Sequence, residues 1–116
     1  MPRAPSRTIN RWRSASWRKL RRTLSPNDLA GRYGGEEFCA LLVRDGEEEV
    51  IRTAEAIRAA VLARSFEYEG AGIPLSVSIG VSTMLGQQDF EGLLATADRR
   101  VYLAKSLGRN RVIASE

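Results

Sequence analysis

The sequence has one cysteine, no apolar run long enough to cross a bilayer, and no acidic residue in its first 27 positions. With Cys39 alone no disulfide can form within the chain, and its place in an apolar stretch predicts a small buried residue in a reducing cytoplasm. A membrane-spanning helix needs roughly 20 consecutive apolar residues, so none is expected. We therefore predict a cytoplasmic chain, whose 116 residues suffice for one domain with its own core.

The net charge of +4 is unevenly distributed along the chain. Residues 1–27 carry eight basic residues and no acid, whereas residues 28–116 carry the other 10 basic residues and all 14 acids. An arginine-rich segment that also contains Trp12 and Trp17 could bind nucleic acid or an anionic surface, and its composition resembles a transit peptide. Because no nucleic-acid-binding motif surrounds these residues, we favour a basic leader, residues 1–19, that runs into the polar face of a helix.

Hydrophobic periodicity and turn residues divide the rest of the chain into helices and short strands. Helical spacing predicts helices over residues 14–24, 47–64 and 89–108, the last capped by Asp89 and ended by Gly108. The apolar stripe of the second is Val50, Ala54, Ile57 and Val61, and that of the third is Phe90, Leu93, Leu94, Ala97 and Val101. Short apolar runs predict strands over residues 29–33, 38–43, 65–68, 75–83 and 111–114.

Two of these predictions concern particular environments. Residues 38–43 read as a strand buried on both faces, and residues 69–72 read as a turn. Helices and strands interleave without strict alternation, which predicts an α+β sandwich with a mostly antiparallel sheet.

The segment that joins the first two strands is Arg32-Tyr33-Gly34-Gly35-Glu36-Glu37-Phe38. A Gly-Gly pair between apolar runs predicts a hairpin, because a tight turn needs positive φ at its central residues. Glu36 and Glu37 then lie where the backbone comes closest to solvent or a ligand. Two adjacent acids could hold a hard cation such as Mg²⁺, with phosphates completing its shell. The alternative is a solvated hairpin end whose charges favour solubility.

The Gly34-Gly35-Glu36-Glu37-Phe38 stretch resembles the signature of the GGDEF domain family, the diguanylate cyclases, in its GGEEF spelling. Two later blocks are similar to further motifs of that family. Residues 75–82 resemble its "VSIGV" strand, and residues 97–112 resemble its closing helix and "GRNRV" turn. The resemblance runs from about Leu20 to Val112. It implies a GGDEF domain over residues 20–116, with a nucleotidyl-cyclase-like two-layer sandwich of a mostly antiparallel sheet packed by helices.

The resemblance also implies an activity and ligands. Family members join two GTP molecules into the signalling nucleotide cyclic di-GMP, and two domains meet face to face. We therefore expect GTP or cyclic di-GMP as ligand and a homodimer as the active form. In the family, the acid after the two glycines binds Mg²⁺ or Mn²⁺, which here is Glu36. Gly34 and Gly35 would let the backbone approach the nucleotide, and Glu37 lies beside the same site as a second catalytic candidate.

Lys105 and Arg109 match the basic pair that grips the terminal phosphates in the family. Four residues apart on a helix they would share one face, so both cations could converge on one triphosphate. The alternative is a solvated pair that complements the helix dipole.

Several family motifs are missing from these 116 residues. They are the "D-x-L-T-x-L-x-N-R" opening, the strand that ends in the first metal-binding aspartate, and the guanine-recognising "F-K-x-x-N-D" and "GH-x-x-GD" segments. We therefore expect a truncated domain that lacks the first central strand, with unpaired edges and an open core. One carboxylate makes a weak Mg²⁺ site, so little or no cyclase activity is expected.

The inhibitory product site of the family also differs here. Its R-x-x-D motif leaves Asp28 as a remnant, because Ser25 stands in place of the arginine. A hydroxyl does not reproduce a bidentate guanidinium contact, so we predict no tight product site of the usual type, although Arg21 and Arg22 could supply a weaker one. Other readings are a non-catalytic nucleotide-binding or dimerisation module and, less favoured, a basic nucleic-acid-binding protein.

Overall fold

The computed structural model describes residues 18, 20–32, 38–63, 66–73, 75–84 and 89–116. The chain divides into two compact units, of which the first comprises residues 1–43 and 64–75 and the second residues 44–63 and 76–116. The predicted boundary between a leader, residues 1–19, and a domain from residue 20 stays a prediction. No helix among the described residues is long and apolar enough to cross a membrane.

The described strands of the first unit form two antiparallel hairpins. Strand β1 (Leu29–Arg32) pairs with β2 (Phe38–Leu41), and β3 (Phe66–Tyr68) pairs with β4 (Ala71–Ile73). Residues 20–23 are helical and are followed by a turn at residues 26–27, as the sequence predicts.

The pairing of β1 with β2 confirms the predicted hairpin. Leu29 lies opposite Leu41 and Arg32 opposite Phe38. Because side chains alternate between the two faces of a strand, this register decides which face each side chain occupies. The tight turn predicted at Gly34 and Gly35 lies outside the described residues.

The prediction that residues 38–43 form a strand buried on both faces is wrong. The strand ends at Leu41, which is 45% exposed, and Val43 is 61% exposed. Leu29, opposite Leu41, is 69% exposed, and Cys39 is half-buried rather than buried. In the described part of the chain β2 belongs to a two-stranded sheet. An apolar run predicts a strand but does not reveal whether other elements cover both of its faces.

The second hairpin contains a strand, β4, that the sequence pattern does not predict. Glu69 and Gly70 have φ angles of 51° and 79°, and Tyr68 lies opposite Ala71, as in a two-residue turn of type I′. The predicted turn over residues 69–72 is therefore too long, since Ala71 and Gly72 belong to β4. Alanine and glycine are both depleted in strands, which explains why the pattern gave no strand signal here.

The second unit is built on a parallel strand pair. Strand β5 (Ser78–Gly80) pairs with β6 (Arg111–Ile113), and the ladder extends through a hydrogen bond of 2.9 Å from the Val81 nitrogen to the Ile113 oxygen. Helix α2 (Phe90–Ser106) connects the two strands, so they form a βαβ unit. Helix α1 (Glu47–Leu62) and α2 both contact this pair. The strand predicted over residues 75–83 is shorter than expected.

Both helices begin where the sequence predicts, and α1 is shorter than predicted at its end. Glu47, Glu48 and Glu49 occupy the first turn of α1, where the helix dipole favours acids. The Asp89 carboxylate accepts a hydrogen bond of 2.7 Å from the Gly92 nitrogen, which confirms the predicted cap of α2. Helix α1 ends two residues earlier than predicted.

The buried faces of the helices are narrower than the predicted stripes. Phe90 is 57% exposed, so its predicted burial is wrong: it is the first residue of α2, at the end of the buried face. Thr96, which the apolar pattern passed over, is buried on that face. The buried apolar side chains of the described residues all belong to the second unit; they are Ala54, Val61, Val81, Leu93 and Ala104. Helices and strands thus mix in an α+β fold in which two of the three described strand pairs are antiparallel.

Candidate functional site

The glycine-rich signature lies between the two strands of the first hairpin. Gly34, Gly35, Glu36 and Glu37 fall outside the described residues, so their predicted roles stay predictions. The paired residues on either side, Arg32 and Phe38, are described. The hairpin therefore fixes the two ends of the signature segment, residues 33–37.

Asp28 holds the opposite end of this hairpin. Its Oδ2 accepts hydrogen bonds from the Ser25 nitrogen at 2.8 Å and the Ser25 hydroxyl at 3.0 Å. Its Oδ1 accepts a hydrogen bond of 2.9 Å from the Val43 nitrogen, which lies just beyond β2. The Asp28 nitrogen donates to the Ser25 oxygen at 3.0 Å. The carboxylate thus closes a turn and fastens the ends of β1 and β2 together.

This structural role was missed in the sequence, although the turn residues were recognised. A Ser-Pro-Asn-Asp run predicts a turn locally, and Asp often bonds to nearby backbone groups. The bond to Val43 spans 15 positions and has no local signal. That Asp28 is a remnant of an inhibitory site stays a prediction.

Lys105 and Arg109 lie at the carboxyl end of α2, but not on one helical face. Lys105 is exposed in the last turn of the helix, which ends at Ser106. Arg109 follows the helix in a left-handed conformation with φ of 64°. The two residues are four positions apart in sequence, but the prediction that they share one helical face is wrong, because the helix ends before Arg109. Their predicted contact with phosphate stays a prediction.

Three successive residues after α2 have positive φ angles: Gly108 at 119°, Arg109 at 64° and Asn110 at 50°. The Arg109 nitrogen donates to the Ala104 oxygen at 2.9 Å, which ends the helix in the usual left-handed manner. Glycine adopts this conformation without cost, whereas an arginine there is strained. The segment presents Arg109 through a backbone shape that other contacts must maintain.

One such contact comes from Arg58 of α1. Its Nη1 donates to the Asn110 Oδ1 at 3.0 Å, while its Nε and Nη2 both lie 3.0 Å from Oε2 of Glu55. The Arg58 side chain is 22% exposed. A pair such as Glu55 and Arg58 at i,i+3 on a helix could be found from sequence. The contact with Asn110, 52 positions away, could not.

The two arginines of α2, Arg99 and Arg100, make contacts within the second unit. Arg100 Nη1 donates to the carbonyl oxygens of Val81 at 2.6 Å and Ala114 at 2.9 Å, where the two parallel strands end. Arg99 Nε contacts both carboxylate oxygens of Glu116, at 2.8 and 3.0 Å. The hydrogen bond from Arg99 holds the pKa of Glu116 below its ordinary value, with a smaller contribution from Arg100. These two cations therefore support the fold of the second unit.

Carboxylates that could bind a metal are not clustered in the described part of the chain. There, no group of three or more His, Cys, Asp or Glu side chains is arranged to hold an ion. The predicted ligand Glu36 and its neighbour Glu37 fall outside that part.

Comparison with known proteins assigns the chain to a family. The family model described as "Diguanylate cyclase, GGDEF domain" matches residues 15–111. The chain is 44% identical over 87 residues to diguanylate cyclase DosC of Escherichia coli K12, covering 74% of this chain and 19% of that protein. It is 38% identical over 90 residues to diguanylate cyclase A of Treponema denticola, covering 77% of this chain and 24% of that protein.

Solved structures give the same result. The GGDEF domain of DgcB from Caulobacter crescentus, in complex with c-di-GMP, matches with a TM-score of 0.86 and 29% identity, over 94% of this chain and 66% of that one. The chain spans about a fifth of the length of diguanylate cyclase DosC and about a quarter of that of diguanylate cyclase A. The hairpin around the glycine signature, the βαβ unit and these matches together show that the chain belongs to the GGDEF, or diguanylate cyclase, domain family.

Proposed function

We propose that this chain is a guanine-nucleotide-binding part of a cytoplasmic diguanylate cyclase, with GTP or cyclic di-GMP as its ligand. The observation that carries the proposal is the β1–β2 hairpin, whose register encloses the GGEEF signature between paired strands. The DgcB domain, which has a similar fold, was solved with c-di-GMP bound. Nucleotide binding at the signature is therefore the function that best fits the family and the hairpin.

The signature residues would supply the nucleotide and metal contacts. Gly34 and Gly35 have no side chains to keep the backbone away from a ligand. Glu36, with Glu37 beside it, offers the hard oxygen donors that Mg²⁺ and Mn²⁺ prefer, so the residues present fit the metal used by the family. When bound, the metal neutralises phosphate charge and activates the attacking hydroxyl.

Lys105 and Arg109 would contact the phosphates. The carbonyl groups at the end of α2 give that end a partial negative charge, which disfavours an anion. Two exposed cations there offset this charge, and a guanidinium can donate two parallel hydrogen bonds to phosphate oxygens.

Turnover is a separate question from binding. The 116 residues contain the GGEEF acids but not the "F-K-x-x-N-D" and "GH-x-x-GD" segments that recognise guanine in the family. We therefore expect the chain by itself to bind nucleotide and to form little or no cyclic di-GMP, whereas an active form would be a homodimer. A non-catalytic nucleotide-binding module is the alternative that fits the same observations.

Binding and turnover can be measured on the same preparation. We expect the chain to bind GTP by calorimetry more tightly with Mg²⁺ than without it. Glu36→Ala should weaken binding in Mg²⁺ about tenfold, the size of one charge-assisted contact. Glu48→Ala, which removes an exposed acid in the first turn of α1, is the matched control.

Chromatography of the GTP incubation separates the catalytic reading from the binding reading. Cyclic di-GMP that forms with the wild-type chain and disappears in Glu36→Ala would show a working cyclase and contradict the expectation of little turnover. If the folded wild-type chain binds neither GTP nor cyclic di-GMP, the proposed function is refuted.

A further inference from the structure

We propose that Arg58 is a positioning residue for Arg109: it holds Asn110 and thereby maintains the left-handed segment, residues 108–110, that presents the Arg109 guanidinium to phosphate. The phosphate part of this inference rests on the proposed function. The positioning part rests on contacts within the second unit alone.

The backbone of the segment needs outside support. Arg109 and Asn110 both have φ near the left-handed region, at 64° and 50°. A non-glycine residue is strained there and keeps this conformation only where its surroundings over-determine it. Asparagine tolerates this region better than arginine does, so Arg109 is the residue at which strain concentrates.

Four hydrogen bonds hold the segment. The Gly108 nitrogen donates to the Lys105 oxygen at 3.4 Å and the Arg109 nitrogen to the Ala104 oxygen at 2.9 Å, while the Arg109 oxygen accepts from Arg111 Nε at 3.1 Å. The fourth bond, from Arg58 to the Asn110 side chain, comes from a different helix. Of the four, it is the one that ties the segment to α1, across 52 positions of sequence.

Arg58 is itself held in place. Glu55, one turn earlier on α1, accepts from Nε and pairs with Nη2, which leaves Nη1 directed at Asn110. The rigid fork of the guanidinium makes all three contacts at once, which a lysine could not reproduce. Glu55 therefore orients the Arg58 guanidinium, and Arg58 in turn holds the Asn110 side chain.

The test uses hydrogen exchange at the Arg109 amide, which does not depend on nucleotide. Arg58→Met keeps an unbranched side chain and removes the guanidinium. We expect it to speed exchange at the Arg109 amide about tenfold or more. The reason is that losing a hydrogen bond to a charged group lowers the free energy of local opening by enough to raise the exchange rate by about that factor. Exchange at the Leu93 amide, at the start of α2, should not change. Arg52→Met, at an exposed position of the same helix, is the matched control.

A double-mutant cycle tests the link to phosphate. Arg58→Met should weaken binding of GTP, and of pyrophosphate as a probe without a base, by about fivefold. In an Arg109→Ala background the same change should have no further effect. In Asn110→Gly, where glycine adopts the left-handed conformation freely, Arg58→Met should no longer change exchange at Arg109.

The outcomes separate the two claims. Unchanged exchange at Arg109 in folded Arg58→Met would overturn the positioning role, whether or not GTP binds. Faster exchange with unaltered affinity for GTP and pyrophosphate would overturn its connection to phosphate. If the wild-type chain binds neither GTP nor pyrophosphate, the phosphate part of this inference fails. If it binds no cyclic di-GMP either, the proposed function fails as well. The exchange result decides the positioning role in both cases.

Discussion

The carboxylate of Asp28 accepts hydrogen bonds from the nitrogen and the hydroxyl of Ser25 and from the nitrogen of Val43. In the family pattern the serine position carries an arginine that contacts product. Here the smaller hydroxyl lies close enough to bond to the aspartate, and the pair closes the turn that leads into β1. Bonds from backbone nitrogens to a carboxylate are charge-assisted and stronger than neutral ones. The side chain thus stabilises the hairpin that carries the signature.

Asp28→Ala is expected to destabilise the chain by about 1–2 kcal/mol, because it leaves the Ser25 and Val43 nitrogens without their acceptor. Urea unfolding followed by circular dichroism measures the change. Asp98→Ala removes an exposed carboxylate from α2 and should have little effect. Affinity for cyclic di-GMP should be the same in both variants. A variant of Asp28 with full stability and lost cyclic di-GMP binding would instead support an inhibitory site there.

At the scale of elements, Gly80 sets the distance between β5 and α2. A Cβ placed on Gly80 would collide with the carbonyl oxygen of Ala97, and would lie 2.6 Å from the nitrogen of Val101. Both atoms belong to the backbone of α2, so no side-chain rotation can make room. The strand therefore packs directly against the helix backbone, and the residue type follows from this contact.

Gly80→Ala should accordingly destabilise the second unit by about 3 kcal/mol or more, the upper range for overpacking, because the helix must move as a whole. Thermal unfolding of the variant gives the measurement. Gly31→Ala, also in a strand, is the control, since its Cβ would meet no atom within 4 Å. Equal stability of the two variants would show that α2 can shift away from β5 at little cost.

The elements differ in how far the sequence determines them. Helix α2 and its Asp89 cap follow from local spacing and capping chemistry, and the first hairpin follows from its glycines. The exposure of Leu41 and the bond between Arg58 and Asn110 were not predicted. Both depend on residues distant in sequence, which neither propensity nor periodicity reports. For the candidate site, motif resemblance named the residues and Gly108 marked the end of α2, whereas the left-handed conformation of Arg109 and Asn110 appeared only in the structure.

For the whole molecule, the contrast between the units lies in their apolar surface. The buried apolar residues of the described chain all lie in the second unit. In the first unit the opposed pair Leu29 and Leu41, together with Val43, remains exposed. Such a cluster is the kind of surface that other elements or chains cover in a stable protein. The open core expected from the missing strand stays a prediction.

The parallel pairing of β5 with β6 also has a kinetic consequence. Ser78 and Arg111 pair across the whole of α2, whereas Tyr68 and Ala71 are joined by two residues. Closing the longer loop loses more chain entropy before any contact compensates for it, and short hairpins close within about 1–10 μs. During refolding we expect amides of β3 and β4 to gain protection before those of β5 and β6, as pulsed hydrogen exchange would show. Simultaneous protection of both pairs would contradict this order. If β5 and β6 gain protection last, as expected, the docking of α2 on these strands governs the folding rate. A change at Gly80 should then slow folding as well as lower stability.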